Sequence, residues 1–241
     1  MEIQEKPDYA GVLIPPFLFV LLLWVVAYLE WKLNLDWVHY SLYPKTLEGS
    51  QGILFAPLLH AGFYHLISNT VPLLILGAFM LHFYRSISYA VFFIVYFGAE
   101  IGAWFFARPS YHLGASGIVY GLVTFLFLSG IIRRNIQLTA VSLLVTFLYG
   151  GLLWGVLPLP TGMSWETHLS GAITGVLCAV VFRKKGPQRN VYEFEKETEL
   201  DNEPGMLVDG VDLKEDEIDT KDERLNNQTI TYVYVPKEEK P

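Results

Sequence analysis

The sequence predicts an all-α membrane protein, a six-helix transmembrane bundle followed by an acidic, mostly disordered tail. Three observations lead there. Of 241 residues, 52% are hydrophobic and only 17% charged, a balance too apolar for an ordinary water-soluble domain. Six stretches approach the roughly 20 apolar residues that a helix needs to cross a hydrocarbon core about 30 Å thick. The charge is also divided: from Pro187 onward there are 16 Asp/Glu and 7 Lys/Arg, a net of -9, which leaves +2 for the remainder of a chain whose total is -7.

The first stretch, Tyr9 to Leu29, contains Pro15-Pro16. Glu2 and Glu5 stand where a signal peptide would be basic, and no small-residue cleavage site follows, so this stretch is expected to be retained. The second, Pro57 to Tyr84, carries "HAGFYHLISN"; the third, Ser86 to Ala107, is interrupted by Glu100. The fourth, Gly114 to Ile132, lies within a run without Asp, Glu, Lys or Arg and begins around "GASGIVYG". The fifth spans Ile136 to Leu157, and the sixth, Trp165 to Phe182, is short. Residues 1–8 then form an N-terminal lead, 9–185 the helical domain and 186–241 the tail. "EFEKETELDNEP" and "DLKEDEIDTKDER" are too polar to offset the entropy of ordering. "TITYVYV", Thr229 to Val235, is the tail's one strand-like stretch.

Orientation follows from the basic residues beside the spans. With the second and fourth connections and the tail in the cytoplasm, that side holds Arg85, Arg133, Arg134, Arg183, Lys184, Lys185 and Arg189, against Lys32, Lys45 and Arg108 outside. Both termini are expected inside, and the second, fourth and sixth stretches run inward from the outer face. Those three carry the unusual polar residues near their beginnings: His60, His65 and Asn69, then Ser116, then His168. Such side chains are costly in a bilayer and face a protein interior or a water cavity. Parallel helices place them at one depth, so a single outward-facing cavity is expected to collect them.

Spacing sharpens this. His65 and Asn69 share a helix face, as do Ser116 and Tyr120, while His168, Gly171 and Gly175 form one stripe. Gly117 to Gly121 and Gly171 to Gly175 are GxxxG patterns, which allow helix backbones to approach closely in lipid. With Gly114 they put small residues beside each member of a Ser/His pair. A membrane serine often bonds back to a carbonyl one turn earlier, and a lone membrane histidine often only packs; their combination on three parallel helices favours a site. His39 and His112 fall in outer loops and His82 at the inner end of its span, and none is given a role. Glu100 is expected to pair structurally, and Cys178, the one cysteine, to pack.

These residues resemble the rhomboid intramembrane serine proteases over roughly Ile53 to Arg183. "GASG" with Tyr120 is similar to the family's GxSG motif followed by a tyrosine, which implies Ser116 as nucleophile. "HLSGAITG" resembles its His-xx-Gly-xxx-Gly helix, which implies His168 as base, and "HAGFYHLISN" its His-xxx-Asn pattern, which implies His65 and Asn69 at the oxyanion site. The family's Trp-Arg pair in the first outer loop is absent, with Asp36-Trp37 in the general region, and Ser170 stands in the HLGG stretch.

The activity implied is hydrolysis of peptide bonds in or near transmembrane segments by a Ser-His dyad. Its substrates would be membrane-spanning proteins, in the bacterial cell membrane. No cofactor, metal or nucleic acid is implied. A G-x-S-x-G elbow needs a preceding strand, and no HExxH occurs. Two other classes stay open: a proton or cation transporter using the histidines and Glu100, and an inactive rhomboid-like protein that binds membrane clients.

Overall fold

The computed structural model describes residues 8–158 and 164–188. Among them all regular structure is helical: α1 Tyr9–Lys32, α2 Gly52–Phe55, α3 Phe63–Phe83, α4 Ser88–Phe106, α5 Ser116–Arg133, α6 Ile136–Tyr149 and α7 Trp165–Val181. Short 3-10 turns occupy Val38–Tyr40, Glu48–Gln51, Ala56–Leu58 and Gly150–Val156. Four of the helices, α1, α3, α4 and α5, are long and apolar enough to cross a membrane. At 14 and 17 residues, α6 and α7 are shorter. The tail from residue 189, including Thr229 to Val235, and residues 159–163 of the last connection lie outside the described residues.

Two expected spans are trimmed. The stretch expected to be helical from Pro57 begins its helix only at Phe63, because a 3-10 turn through Pro57 gives way to extended backbone at Leu59. The stretch expected to reach Leu157 leaves α-helix at Tyr149, where Gly150-Gly151 tighten it into a 3-10 turn. At the start of α1, the Asp8 carboxylate accepts from the Gly11 N–H at 2.8 Å and pairs with Arg85 at 2.6 Å, tying α1 to the segment after α3.

Burial identifies the centre: 61% of the residues of α5 are buried, against 17% of the most apolar 18-residue stretch of α1. α5 packs on α3, α4, α6 and α7, around a core that includes Leu76, Val95, Leu122 and Phe125. Lipid is as apolar as leucine, so association depends on close packing and interhelical hydrogen bonds. A Cβ at Gly171 would strike the Gly117 carbonyl, and one at Gly175 the Gly121 carbonyl and the Thr124 hydroxyl, closer than real Cβ atoms come. Hydroxyls join the backbones: Thr124 Oγ1 to Ala172 O at 2.9 Å, Ser142 Oγ to Phe127 O at 2.9 Å and Ser170 Oγ to Gly98 O at 3.0 Å. At the far end of α5, Arg133 donates to the Phe182 and Lys185 carbonyls at 2.6 and 2.7 Å and lies over the Tyr84 ring.

The connection between α1 and α2 is seated on α4 and on the α4–α5 connection. Leu42 and His112 exchange backbone hydrogen bonds at 3.0 and 2.8 Å, and Tyr96 Oη donates to Leu54 O at 2.6 Å. The Trp104 indole donates to Thr46 O at 3.1 Å. Aromatic donors on α4 thus hold α2 and the loop before it, which lacks the Trp-Arg pair.

Gly175→Val is expected to overpack the α5–α7 seam and cost about 1–3 kcal/mol, read as a lowered thermal unfolding midpoint in detergent. Leu177→Val, at a position 58% exposed, should leave the midpoint unchanged. Equal midpoints for both would contradict the seam.

Candidate active site

The turn before α5 places the first residue of the site. Gly114 has φ +117°, a region that favours glycine, and a Cβ there would run into the His65 ring. Its N–H donates to Ala56 O at 2.9 Å. Ser116 then opens α5. No earlier turn of its own helix offers a carbonyl to its hydroxyl, so the usual fate of a membrane serine does not apply. Instead Ser116 Oγ lies 2.8 Å from His168 Nε2.

His168 sits in the first turn of α7, and three groups fix its ring. Nδ1 is 2.9 Å from the Gly155 carbonyl, in the 3-10 turn after α6. A carbonyl only accepts, so Nδ1 carries the ring proton and Nε2 turns its lone pair to the Ser116 hydroxyl. The Tyr120 ring stacks on the imidazole with centroids 4.2 Å apart and planes inclined by 11°. Gly171, one turn after His168, lets α7 close on Gly117.

Ser116 and His168 line a cavity of 790 Å³ together with His65, Asn69 and Tyr120. Tyr64, 89% exposed, also lines it, so the cavity reaches the surface. Asn69 is buried and gives one amide N–H to the His65 carbonyl at 3.1 Å, which leaves its second amide N–H. Five of the sequence-nominated residues, Ser116, His168, His65, Asn69 and Tyr120, therefore share one cavity. The glycines, Gly114, Gly117, Gly121, Gly171 and Gly175, lie at the close approaches around it.

The sequence reading missed three participants. The Gly155 carbonyl is a backbone group, which no residue pattern announces. His112, left without a role in an outer loop, is buried: its Nε2 donates to Arg108 O at 3.0 Å and its Nδ1 accepts from Ser164 Oγ at 2.6 Å. Ser164 in turn caps α7 by accepting from the Thr167 N–H at 3.3 Å. Only this capping serine ahead of an apolar helix had a sequence signal.

The acidic residues stand apart. Glu166 faces Arg108, with Oε1 3.5 Å from Nε. Glu100 is buried outside the cavity, and its Oε2 has no hydrogen-bond partner among the described residues, so the structural pairing expected for it is not seen. Among the described residues no group of three or more His, Cys, Asp or Glu is placed to hold a metal ion.

A family model described as the rhomboid domain matches residues 49–185. The chain is 37% identical over 155 residues to an uncharacterized protein of Mycobacterium tuberculosis, covering 61% of this chain and 64% of that one. It is 36% identical over 148 residues to an uncharacterized protein of Mycobacterium leprae, covering 57% of each. RHOMBOID-like protein 4 of Arabidopsis thaliana is 32% identical over 145 residues, covering 57% of this chain and 36% of that protein. The chain thus spans less than two thirds of the length of these relatives.

Valine at Gly171 should push α7 off the Gly117 carbonyl and separate Ser116 from His168. Misplacement of reacting groups by about 1 Å costs on the order of 100-fold, so Gly171→Val is expected to slow fluorophosphonate labelling of Ser116 by that order. Leu177→Val should label as fast as wild type. Undiminished labelling of Gly171→Val would contradict the proposed dependence of the pair on this contact.

Proposed function

Because the chain belongs to the rhomboid family, we propose that it is an intramembrane serine endopeptidase hydrolysing peptide bonds in or near transmembrane segments of other membrane proteins. The observation that carries this is the hydrogen bond from Ser116 Oγ to His168 Nε2, on an imidazole whose tautomer the Gly155 carbonyl sets.

A serine hydroxyl is a weak nucleophile until a base takes its proton. In the proposed cycle the Ser116 proton passes to Nε2 as Oγ attacks the scissile carbonyl carbon, and His168 returns it to the leaving amine. Water then enters the cavity and gives a proton to the same nitrogen as its oxygen attacks the acyl carbon, and His168 returns that proton to Ser116 Oγ as the C–Oγ bond breaks and the product leaves as a carboxylic acid. Gly155 O holds the imidazolium that forms twice per cycle, and Tyr120 keeps its plane. A neutral carbonyl thus occupies the position on Nδ1 that a carboxylate takes in a Ser-His-Asp triad. The negative oxygen of each tetrahedral intermediate is received by the second Asn69 amide N–H, by His65 and by the Ser116 backbone N–H.

In this reading the chain crosses the bilayer six times, with α6 and its 3-10 extension as the fifth span and α7 as the sixth. Both termini are cytoplasmic, and the cavity opens to the outer face of a bacterial cell membrane. Residues 9–185 form the protease domain, and residues 186–241, an acidic cytoplasmic tail, contain none of the proposed catalytic groups.

Ser116→Ala and His168→Ala are each expected to abolish cleavage of a single-span model substrate in liposomes while inserting like wild type. Robust cleavage by purified Ser116→Ala would overturn the dyad. If Ser116 instead failed to react with a fluorophosphonate and no membrane substrate were cut, a client-binding relative would be the better reading.

Asn69→Ala should lower kcat by about 100 to 1,000-fold with little change in KM, since an oxyanion donor acts mainly in the transition state. An unchanged kcat would return Asn69 to helix packing.

A further inference from the structure

At the end of the bundle away from Ser116, α1 and α4 stand apart over α3. α1 crosses α3 at Pro16, where a Cβ on Gly77 would fall 2.7 Å from the proline Cβ. Toward the middle of the bundle the gap between α1 and α4 is bridged by Phe19, whose ring meets Phe92 edge-on at 5.2 Å and Tyr96 at 6.5 Å. Between this bridge and the start of α1 lies a cleft of 130 Å³, floored by Leu73, Met80 and Leu122 and walled by Pro16 and Phe93.

Ser88 and Tyr89 are the only side chains on its lining that carry a hydroxyl, and the Ser88 hydroxyl is occupied by the Arg85 carbonyl at 3.0 Å. An apolar space of this kind excludes water, and at this depth the fluid available to fill it is hydrocarbon. The cleft has a charged end. A second cavity, of 260 Å³, shares Pro15, Leu81 and Tyr89 with it and reaches Gly11 and Arg85. Arg85 is largely exposed and uses Nη2 to hold Asp8; a guanidinium has five N–H donors in a fork suited to phosphate.

We propose that this continuous groove binds one membrane phospholipid, its acyl chain in the apolar cleft and its phosphate on Arg85. The length agrees: α1 lines the apolar cleft from Pro15 to Phe19, about 6 Å of helix, room for the first few carbons of an acyl chain before the aromatic bridge stops it. The donor geometry agrees as well: Asp8 offsets part of the Arg85 charge through Nη2, and the remaining guanidinium N–H groups stand where the apolar channel ends. Ser116 lies near the opposite end of the bundle, so the lipid belongs to the other leaflet and does not compete with a substrate in the site cavity. It would act as a wedge that keeps α1 seated on α3.

The test is photolabelling of the full chain in liposomes of phosphatidylethanolamine and phosphatidylglycerol, doped with a phospholipid carrying a diazirine close to the ester end of one acyl chain. Adducts, mapped by peptide mass spectrometry, are expected to concentrate on Tyr89 and Phe93 over Phe105 and Ile101, which are exposed on the same helix. Arg85→Gln should reduce the cleft adducts about fivefold, the weight of one basic residue at a lipid headgroup, and Arg85→Lys should restore most of them. Leu81→Phe, which narrows the junction of the two cavities, should reduce them with Arg85 intact. Uniform labelling along α4, or cleft labelling indifferent to both Arg85→Gln and Leu81→Phe, would overturn the proposal.

Discussion

The approach of α7 to α5, backbone against backbone, is the constraint on which the rest depends. Gly171 lies on the Gly117 carbonyl and Gly175 on that of Gly121, so the helix axes are as near as the chains allow. In water, burial of larger side chains would supply the attraction between helices; in lipid that term is missing, and close dispersion contact with interhelical hydrogen bonds takes its place. Thr124 Oγ1, donating to Ala172 O, adds one such bond inside the seam. The 2.8 Å separation of Ser116 and His168 follows from this seam, since each residue sits within a turn of a glycine that makes it.

Polar groups at the Ser116 end of the bundle are handled unequally, and the inequality separates site from scaffold. His112, Ser164 and Thr167 satisfy one another across the start of α7, fixing the turn from which His168 projects. His168 has both nitrogens engaged, one by a carbonyl and one by the Ser116 hydroxyl. No carboxylate touches its ring in the described residues. Glu166, two positions earlier, is turned to Arg108, as a helical step of about 200° requires. The imidazole thus relies on a backbone dipole and an aromatic face, neither of which needs a buried charge.

The supporting elements differ in how firmly they hold. α5 is enclosed on several sides, whereas α1 is bound to the bundle along one side, by Trp24 to Thr70 at 3.0 Å, by the Pro16–Gly77 crossing and by Asp8 to Arg85. Pro15 and Pro16 cannot donate to the carbonyls of Gly11 and Val12, which loosens the first turns of α1 beside the cleft. Packing is densest around the α5–α7 seam, and α1 at the periphery is held by fewer contacts.

Much was legible from the residues because a bilayer imposes simple rules on a chain. The all-helical fold, the length and apolarity that let α1, α3, α4 and α5 cross a membrane, and the glycine stripes follow from hydropathy and from 3.6-residue periodicity, which are local properties. The sequence also nominated Ser116, His168, His65, Asn69 and Tyr120, because polar residues at matched depth on parallel helices have few other places to point. It did not determine where helix stops: α3 begins at Phe63 and α6 ends at Tyr149, although Pro57 and Gly150-Gly151 stand in the sequence, because membrane helices tolerate proline and glycine and neither residue type alone ends one. Tertiary structure alone decided that Gly155 lends its carbonyl to His168, that His112 is buried against Ser164, and that Glu100 lies outside the cavity. A backbone carbonyl is the same in every residue, and a loop histidine is exposed or buried according to what folds over it; both depend on contacts between segments that no local pattern encodes.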